Sequence, residues 1–322
     1  MRIPFFYGSL ISFAIAHPSM FPKIWESIIT VADEKYQITE YLGAGHNKQA
    51  FVGKLLSRSI EGSTNQEYRI PRGGGVRYEG LTLPSEIVVK CLAAKDPTRF
   101  DKLESEFRRL TFLNRITTIN KPTGYFLSDK WRCGEELRHV CQYLVMTRAG
   151  PDVHKVISKK MHGIKPVLLD DAPLRERRGD KYSFEVWLIT MGLTLIDELE
   201  ALHKAGVVHG DVRTLNVALD PVDRSKVFLI DFGSAKFLRH ASDSARDENL
   251  KLADFNRVKS VMQKLIIDSV RENHGRDDQC EQSKLYRELE SAQSGTHLKS
   301  LLHSLLQNEF PQALYQGKII YM

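Results

Sequence analysis

The sequence predicts an α+β chain of two lobes, a β-sheet carrying one helix followed by a mainly helical part. Two observations predict it. Short apolar runs, several of them alternating or β-branched, crowd residues 36–150, with one helix-spaced stretch among them. From residue 151 onward the apolar residues recur mostly at helical spacing, and strands shrink to two brief runs.

Bulk properties agree with such a chain. Its 322 residues suffice for one large or two small domains with a full core. Hydrophobic residues at 42% and charged residues at 27% are ordinary for a soluble globular protein. The net charge of +6 suits anionic partners such as nucleotides and does not mark a nucleic-acid binder. Cys91, Cys133, Cys141 and Cys280 form no CxxC pair and have no His cluster beside them, which speaks against a structural zinc site. Cys133 and Cys141 are near enough in sequence to meet across a hairpin, so a disulfide there stays open, with geometry to decide it.

The elements follow in order. Residues 1–16 have the layout of a secretory signal peptide: basic Arg2, an apolar stretch from Ile3 to Ala16, and the A-x-A pattern Ala14-Ile15-Ala16. That reading predicts a secreted or secretory-pathway protein. Its rival is an apolar segment packed on the domain, in a cytoplasmic protein. The stretch is too short to cross a bilayer as a helix, and no other stretch is apolar enough. Residues 17–35 lead into the domain. Tyr36–Leu42 reads as a strand, Gly43-Ala44-Gly45 as a turn and Ala50–Leu56 as a second strand. Residues 57–80, with Arg72-Gly73-Gly74-Gly75, read as a polar loop. Glu86–Leu92 is a buried strand with Lys90 inside it, and an unpaired lysine there would be costly. Thr98–Ile116 places Leu103, Phe107, Leu110 and Leu113 on one helical face. Tyr125–Leu127 and His139–Met146 read as strands. Residues 155–182 are polar and fit a helix plus an insertion. Phe184–His203 is a long helix, Val217–Leu219 and Val227–Ile230 are short runs, and the pattern beyond residue 250 is helical.

The chemistry concentrates in Val207-Val208-His209-Gly210-Asp211-Val212-Arg213-Thr214-Leu215-Asn216, followed by Asp231-Phe232-Gly233. Phosphoryl transfer needs oxygen ligands for a divalent cation and a further carboxylate to orient the attacking hydroxyl. Asp211 and Asn216 share one loop. Asp231 ends an apolar strand, where Gly233 is expected to supply a positive-φ turn.

H-x-D-x-x-x-x-N followed by D-F-G resembles the catalytic signature of the protein-kinase superfamily, matched by His209, Asp211 and Asn216, then Asp231, Phe232 and Gly233. The resemblance covers residues 36–270. It implies a bilobal kinase-like fold, with an antiparallel sheet and one helix over 36–150 and a mainly helical lobe over 151–322. Leu42-Gly43-Ala44-Gly45 resembles the glycine-rich loop, with Lys48 at the position of its third glycine. The resemblance implies ATP and Mg²⁺ as cofactors. Gly43 and Gly45 would let the backbone approach the phosphates. Lys90 would hold the α- and β-phosphates and pair with a helix glutamate. Met146, in the strand resembling the hinge region, would line the adenine. Asn216 and Asp231 would bind the metal. Asp211 would orient the acceptor, and Arg213 would neutralise charge on the γ-phosphate. For the glutamate, Glu106 has Leu110 and Leu113 four and seven residues on, as the family pattern asks, whereas Glu104 has Arg108 and Thr111.

Departures from the family pattern widen the choice of substrate. Gly210 stands where an arginine is usual, and no A-P-E sequence follows Asp231. Asp254 looks like the buried aspartate at the start of the next helix, or else is a helix N-terminal charge. The expected activity is transfer of the γ-phosphoryl group of Mg·ATP to a protein Ser/Thr hydroxyl. Gly210 and the missing segment motivate a small-molecule acceptor instead. Lys48 and the insertions motivate an inactive nucleotide-binding or effector module.

Overall fold

A computed structural model describes residues 28–31, 34–44, 48–56, 67–68, 76–77, 85–94, 101–116, 119–128, 130–133, 139–154, 180–220, 227–238, 244–274 and 284–310. The expected leader, Gly45, most of the 57–80 loop, the 155–179 insertion and Cys280 lie outside them. The chain divides into two compact units. One holds Met1–Glu104 with Gly124–Arg148, and the other holds Ser105–Thr123 with Ala149–Met322.

The first unit is a sheet. Its strands are β1 (Ile28–Val31), β2 (Glu34–Ala44), β3 (Lys48–Leu55), β4 (Glu67–Tyr68), β5 (Val76–Arg77), β6 (Glu86–Ala94), β7 (Gly124–Leu127), β8 (Trp131–Cys133) and β9 (His139–Thr147). They run β4-β1-β2-β3-β6-β9-β7-β5, with β8 added to β9. Every pairing is antiparallel except β1 with β4. Side chains alternate between the two faces of a strand. One face therefore carries Tyr36, Ile38, Phe51, Ile87, Val89, Cys91, Cys141, Tyr143 and Val145 into a common buried cluster. Lys90 falls between Val89 and Cys91 and so belongs to the other face, where it is half-buried. The lysine thus does not sit in the cluster. Cys141 is disulfide-bonded. Cys133 stands on β8 opposite His139, two residues from Cys141 in the β8–β9 register. Cys91 is a free, buried thiol.

The second unit is mainly helical. It takes most of α1 (Asp101–Leu113), then α2 (Asp180–Lys204), α3 (Ser244–His274), α4 (Lys284–Ser291) and α5 (Gly295–Glu309). The spaced residues Leu103, Phe107, Leu110 and Leu113 of α1 are all buried, as the periodicity requires. Ser294 caps α5 by accepting the His297 backbone N–H at 3.0 Å. Two small antiparallel ribbons interrupt the helices. β10 (Val207–Val208) pairs with β13 (Lys236–Phe237), and β11 (Val217–Leu219) pairs with β12 (Val227–Leu229). These ribbons were too short for periodicity to separate them all from loops, yet they carry the site. No helix among the described residues is long and apolar enough to cross a membrane.

Candidate active site

β10 delivers His209 into the interior, where it is fully buried. Its Nε2 lies 3.1 Å from the Ile230 carbonyl oxygen, and its Nδ1 accepts the Asp211 backbone N–H at 3.3 Å. One nitrogen must donate and the other accept, so the ring is the neutral Nε2–H tautomer. Burial pulls its pKa below the usual value and outweighs the opposing influence of Asp254, the Ile230 carbonyl, Asp231 and Asp211. The ring also packs on Phe232, with centroids 4.9 Å apart. One side chain thereby ties the Asp211 loop to the Asp231 turn.

Asp254 anchors the same loop. It is fully buried in the interior of α3, so it is neither at the start of a helix nor a terminal helix charge. The helix begins ten residues earlier than the motif spacing implied, at Ser244. Oδ2 accepts the His209 N–H at 2.8 Å and lies 3.0 Å from His203 Nε2, while Oδ1 accepts the Gly210 N–H at 2.9 Å. Burial alone would raise its pKa, but these bonds win and hold the carboxyl below the usual range. Gly210 has φ +76, and a Cβ there would stand 2.7 Å from the Ser234 carbonyl oxygen. The conformation and the contact both favour glycine at this position.

Asp211, Asn216 and Asp231 converge around the β11–β12 ribbon. Val217 pairs with Leu229, so Asn216 just precedes one strand and Asp231 just follows the other. The Ile230 N–H donates to the Asn216 carbonyl oxygen at 2.9 Å. Asn216 is buried, and its Nδ2 donates to both the carbonyl oxygen and Oδ2 of Asp211, each at 2.8 Å. Arg213 Nε lies 3.4 Å from the same Oδ2, in a pair open to solvent. The positive φ expected at Gly233 belongs to Asp231 instead, at φ 62 and ψ 67. Such strain in a non-glycine residue is concentrated at functional sites.

The donor set fits magnesium. With Nδ2 of Asn216 committed to Asp211, its Oδ1 is the atom left to face a cation, and Asp231 follows the partner strand of the same ribbon. Magnesium is commonly held by one or two such oxygens plus substrate phosphates. Among the described residues no group of three or more His, Cys, Asp or Glu side chains could cage a metal.

The first unit aligns its own candidates. Gly43 pairs with Ala50, Ala50 with Lys90 and Lys90 with Leu144, which makes one row across four strands. Met146 pairs with Val88, so it shares a sheet face with Lys90. At about 4.8 Å per strand, Lys90 is about 10 Å from the Gly43 backbone. Of the two glutamates, Glu104 takes Lys130 at 2.8 Å on the surface, whereas Glu106 is fully buried.

Three supporting residues escaped the sequence reading. Arg109 donates to the Phe232 and Gly233 carbonyls. His203 meets Asp254. Glu198, buried on α2, accepts the Asn120 N–H at 2.7 Å and its Nδ2 at 2.5 Å, while Asn120 O accepts the Leu229 N–H at 3.2 Å. Burial raises Glu198 to about 7 against the opposing Asn120 bonds. Its spacing from Leu195 and Leu202 puts it on the buried face of α2, and that was the signal available.

No family model matches the chain. In sequence it is 24% identical over 134 residues to the B1 kinase of vaccinia virus, covering 36% of this chain and 37% of the relative. The B1 kinase of monkeypox virus matches to the same extent, and that of variola virus is 28% identical over 120 residues. The chain thus spans well under half the length of these relatives. In structure it is similar to vaccinia related kinase 3, with a TM-score of 0.47 and 13% identity over 88% of this chain and 91% of the other. The sequence matches are a distant likeness to protein kinases over about a third of the chain.

Proposed function

We propose that this chain, a distant member of the protein-kinase-like superfamily, is an ATP-dependent phosphotransferase that moves the γ-phosphoryl group of Mg·ATP to a protein Ser/Thr hydroxyl. The observation that carries the reading is the double donation from Asn216 Nδ2 to Asp211. It fixes the carboxylate and the amide of one loop in complementary roles. Oδ2 of Asp211 is held by Asn216 and Arg213, so Oδ1 is the oxygen that orients the acceptor hydroxyl. Asn216 Oδ1 and Asp231 would hold Mg²⁺, which when bound neutralises phosphate charge. Arg213, exposed in its surface pair, meets charge developing on the transferring group. Lys90 serves the α- and β-phosphates with Glu106 assigned to the lysine, Gly43 and Gly45 serve the backbone contact to the phosphates, and Met146 the adenine.

Gly210 and the early start of α3 favour a second reading, a small-molecule kinase. Only twelve residues lie between Asp231 and Ser244, which leaves little chain for docking a peptide. Purified protein given γ-labelled ATP and Mg²⁺, with generic protein substrates in one arm and small alcohols in another, separates the two. Label on protein supports the first reading, and label on the alcohol alone replaces it with the second. No label in either arm, with Asp231→Asn binding nucleotide as wild type does, leaves the inactive-module reading standing.

We also propose a secretory location. The disulfide at Cys141 supports it, since disulfides persist in oxidising compartments. N-terminal sequencing of protein from the native source should start near His17. An intact Met1, with Cys141 alkylated without prior reduction, contradicts it.

A further inference from the structure

α1 and the turn after Asp231 meet at two places within the second unit. Arg109 Nη1 donates to the Phe232 carbonyl oxygen at 3.2 Å and to the Gly233 carbonyl oxygen at 3.3 Å. Three residues on, the Phe112 ring meets the Phe237 ring edge-on, with centroids 5.2 Å apart. Residues three apart share a helix face, so one face of α1 grips the segment twice. The Phe232 carbonyl also accepts the Ala235 N–H at 3.2 Å, which closes the 3-10 turn Phe232–Ser234. The Phe232 carbonyl thus takes one donor from the turn and one from Arg109, which its two lone pairs allow. Burial depresses the pKa of half-buried Arg109, and neighbouring Glu106 opposes this. An arginine stays charged regardless, so its partial burial must be compensated by acceptors, and the two carbonyls supply them.

Asp231 is what this turn presents. Among the described residues it is the only non-glycine with a positive φ. A left-handed non-glycine residue is strained and persists only when its surroundings over-determine it. On the N-terminal side the Ile230 N–H is bound to Asn216. On the C-terminal side the fixing groups are Arg109 and the Ala235 N–H.

We infer that Arg109 is a positioning residue for Asp231: by pinning the Phe232 and Gly233 carbonyls it holds the turn that keeps the Asp231 carboxylate in its strained, presented conformation. The consequence for catalysis rests on the proposed magnesium role of Asp231, whereas the pinning of the turn does not. The bland alternative is a helix arginine whose contacts leave the turn unaffected.

Amide exchange at Ala235 in the full chain tests the pinning without any turnover. The variants are Arg109→Gln and Arg109→Lys, with exposed Arg108→Gln as the control. Losing a charged hydrogen bond to the turn should speed Ala235 exchange about tenfold in Arg109→Gln relative to Arg108→Gln. Arg109→Lys, which keeps the charge but not the fork, should fall between them. In turnover assays Arg109→Gln should raise the Mg²⁺ concentration for half-activation about tenfold, with the KM for ATP at saturating Mg²⁺ nearly unchanged. Ala235 exchange equal in Arg109→Gln and Arg108→Gln overturns the inference. Should Arg109→Gln fail to fold, Arg109→Lys decides: faster exchange than the control supports the pinning and equal exchange overturns it. Faster exchange in a protein that never turns over ATP would uphold the pinning and retire the kinase reading.

Discussion

Alanine at Gly210 separates two costs that usually arrive together. Gly210 and Gly206 both adopt left-handed backbone, at φ +76 and φ +79. Forcing an L-residue into that region costs roughly 1–2 kcal/mol at either site. Around Gly206 nothing lies within 4 Å of an added Cβ, whereas at Gly210 the Ser234 carbonyl oxygen would be 2.7 Å away. A backbone carbonyl cannot swing aside as a side-chain tip can, and overpacking of this kind adds roughly 1–3 kcal/mol. Gly210→Ala should therefore destabilise by about 2–5 kcal/mol and Gly206→Ala by only about 1–2 kcal/mol. Urea unfolding followed by far-UV circular dichroism reads the difference. The collision also pushes on the loop that carries Asp211, so Gly210→Ala should lose turnover as well, up to about a hundredfold if the loop moves by an ångström. Equal unfolding midpoints for the two variants would refute the steric reasoning.

Asp254→Asn removes the ionised acceptor of His209 N–H, Gly210 N–H and His203 Nε2, and should cost roughly 2–4 kcal/mol in the same unfolding assay. The Asp254 carboxyl is held below its ordinary pKa in the folded chain, so its contribution is present above the ordinary carboxylate range and is lost as pH falls through the folded value. The variant should accordingly show a shallower loss of stability in acid than wild type. Glu198 has the opposite sign. Its folded pKa of about 7 lies above the usual 4.5, so its contribution is complete below pH 4.5 and is lost as pH rises through 7, in all roughly 3 kcal/mol. Unfolding midpoints from pH 4.5 to 8 should fall for wild type relative to Glu198→Gln, and parallel profiles would contradict this. His209 is buried and neutral with a depressed pKa, so it too weakens the fold as pH drops below the usual histidine range. His209→Gln should flatten that part of the profile between about pH 6.5 and 5.

Much of this arrangement was legible because chemistry and periodicity coincide. The face of α1 from Leu103 to Leu113 is spelled out by spacing alone, and all four residues are buried. The loop from His209 to Asn216 and the turn at Asp231 stood out because the two motifs occur in order and together resemble the protein-kinase catalytic signature. Contacts to backbone atoms leave no such trace. Arg109 binds two carbonyls, Asp254 two N–H groups and Asn120 one N–H of β12, and any residue can offer those partners. The positive φ at Asp231 was misread as a property of Gly233 because propensity favours glycine, whereas here the tertiary contacts decide. The brief strands β1, β4, β5, β8, β10 and β13 span too few residues for a period of two to show.

The central claim is that Asp211, Asn216 and Asp231 form a working phosphoryl-transfer centre. Its most direct test is the initial rate of γ-phosphoryl transfer from Mg·ATP, measured side by side for wild type, Asp211→Asn and Asp231→Asn. The account predicts a magnesium-dependent rate in wild type, reduced about 10²–10⁴-fold by Asp211→Asn and by at least about 10²-fold by Asp231→Asn. A rate that is absent from wild type, or the same in all three proteins, would contradict it.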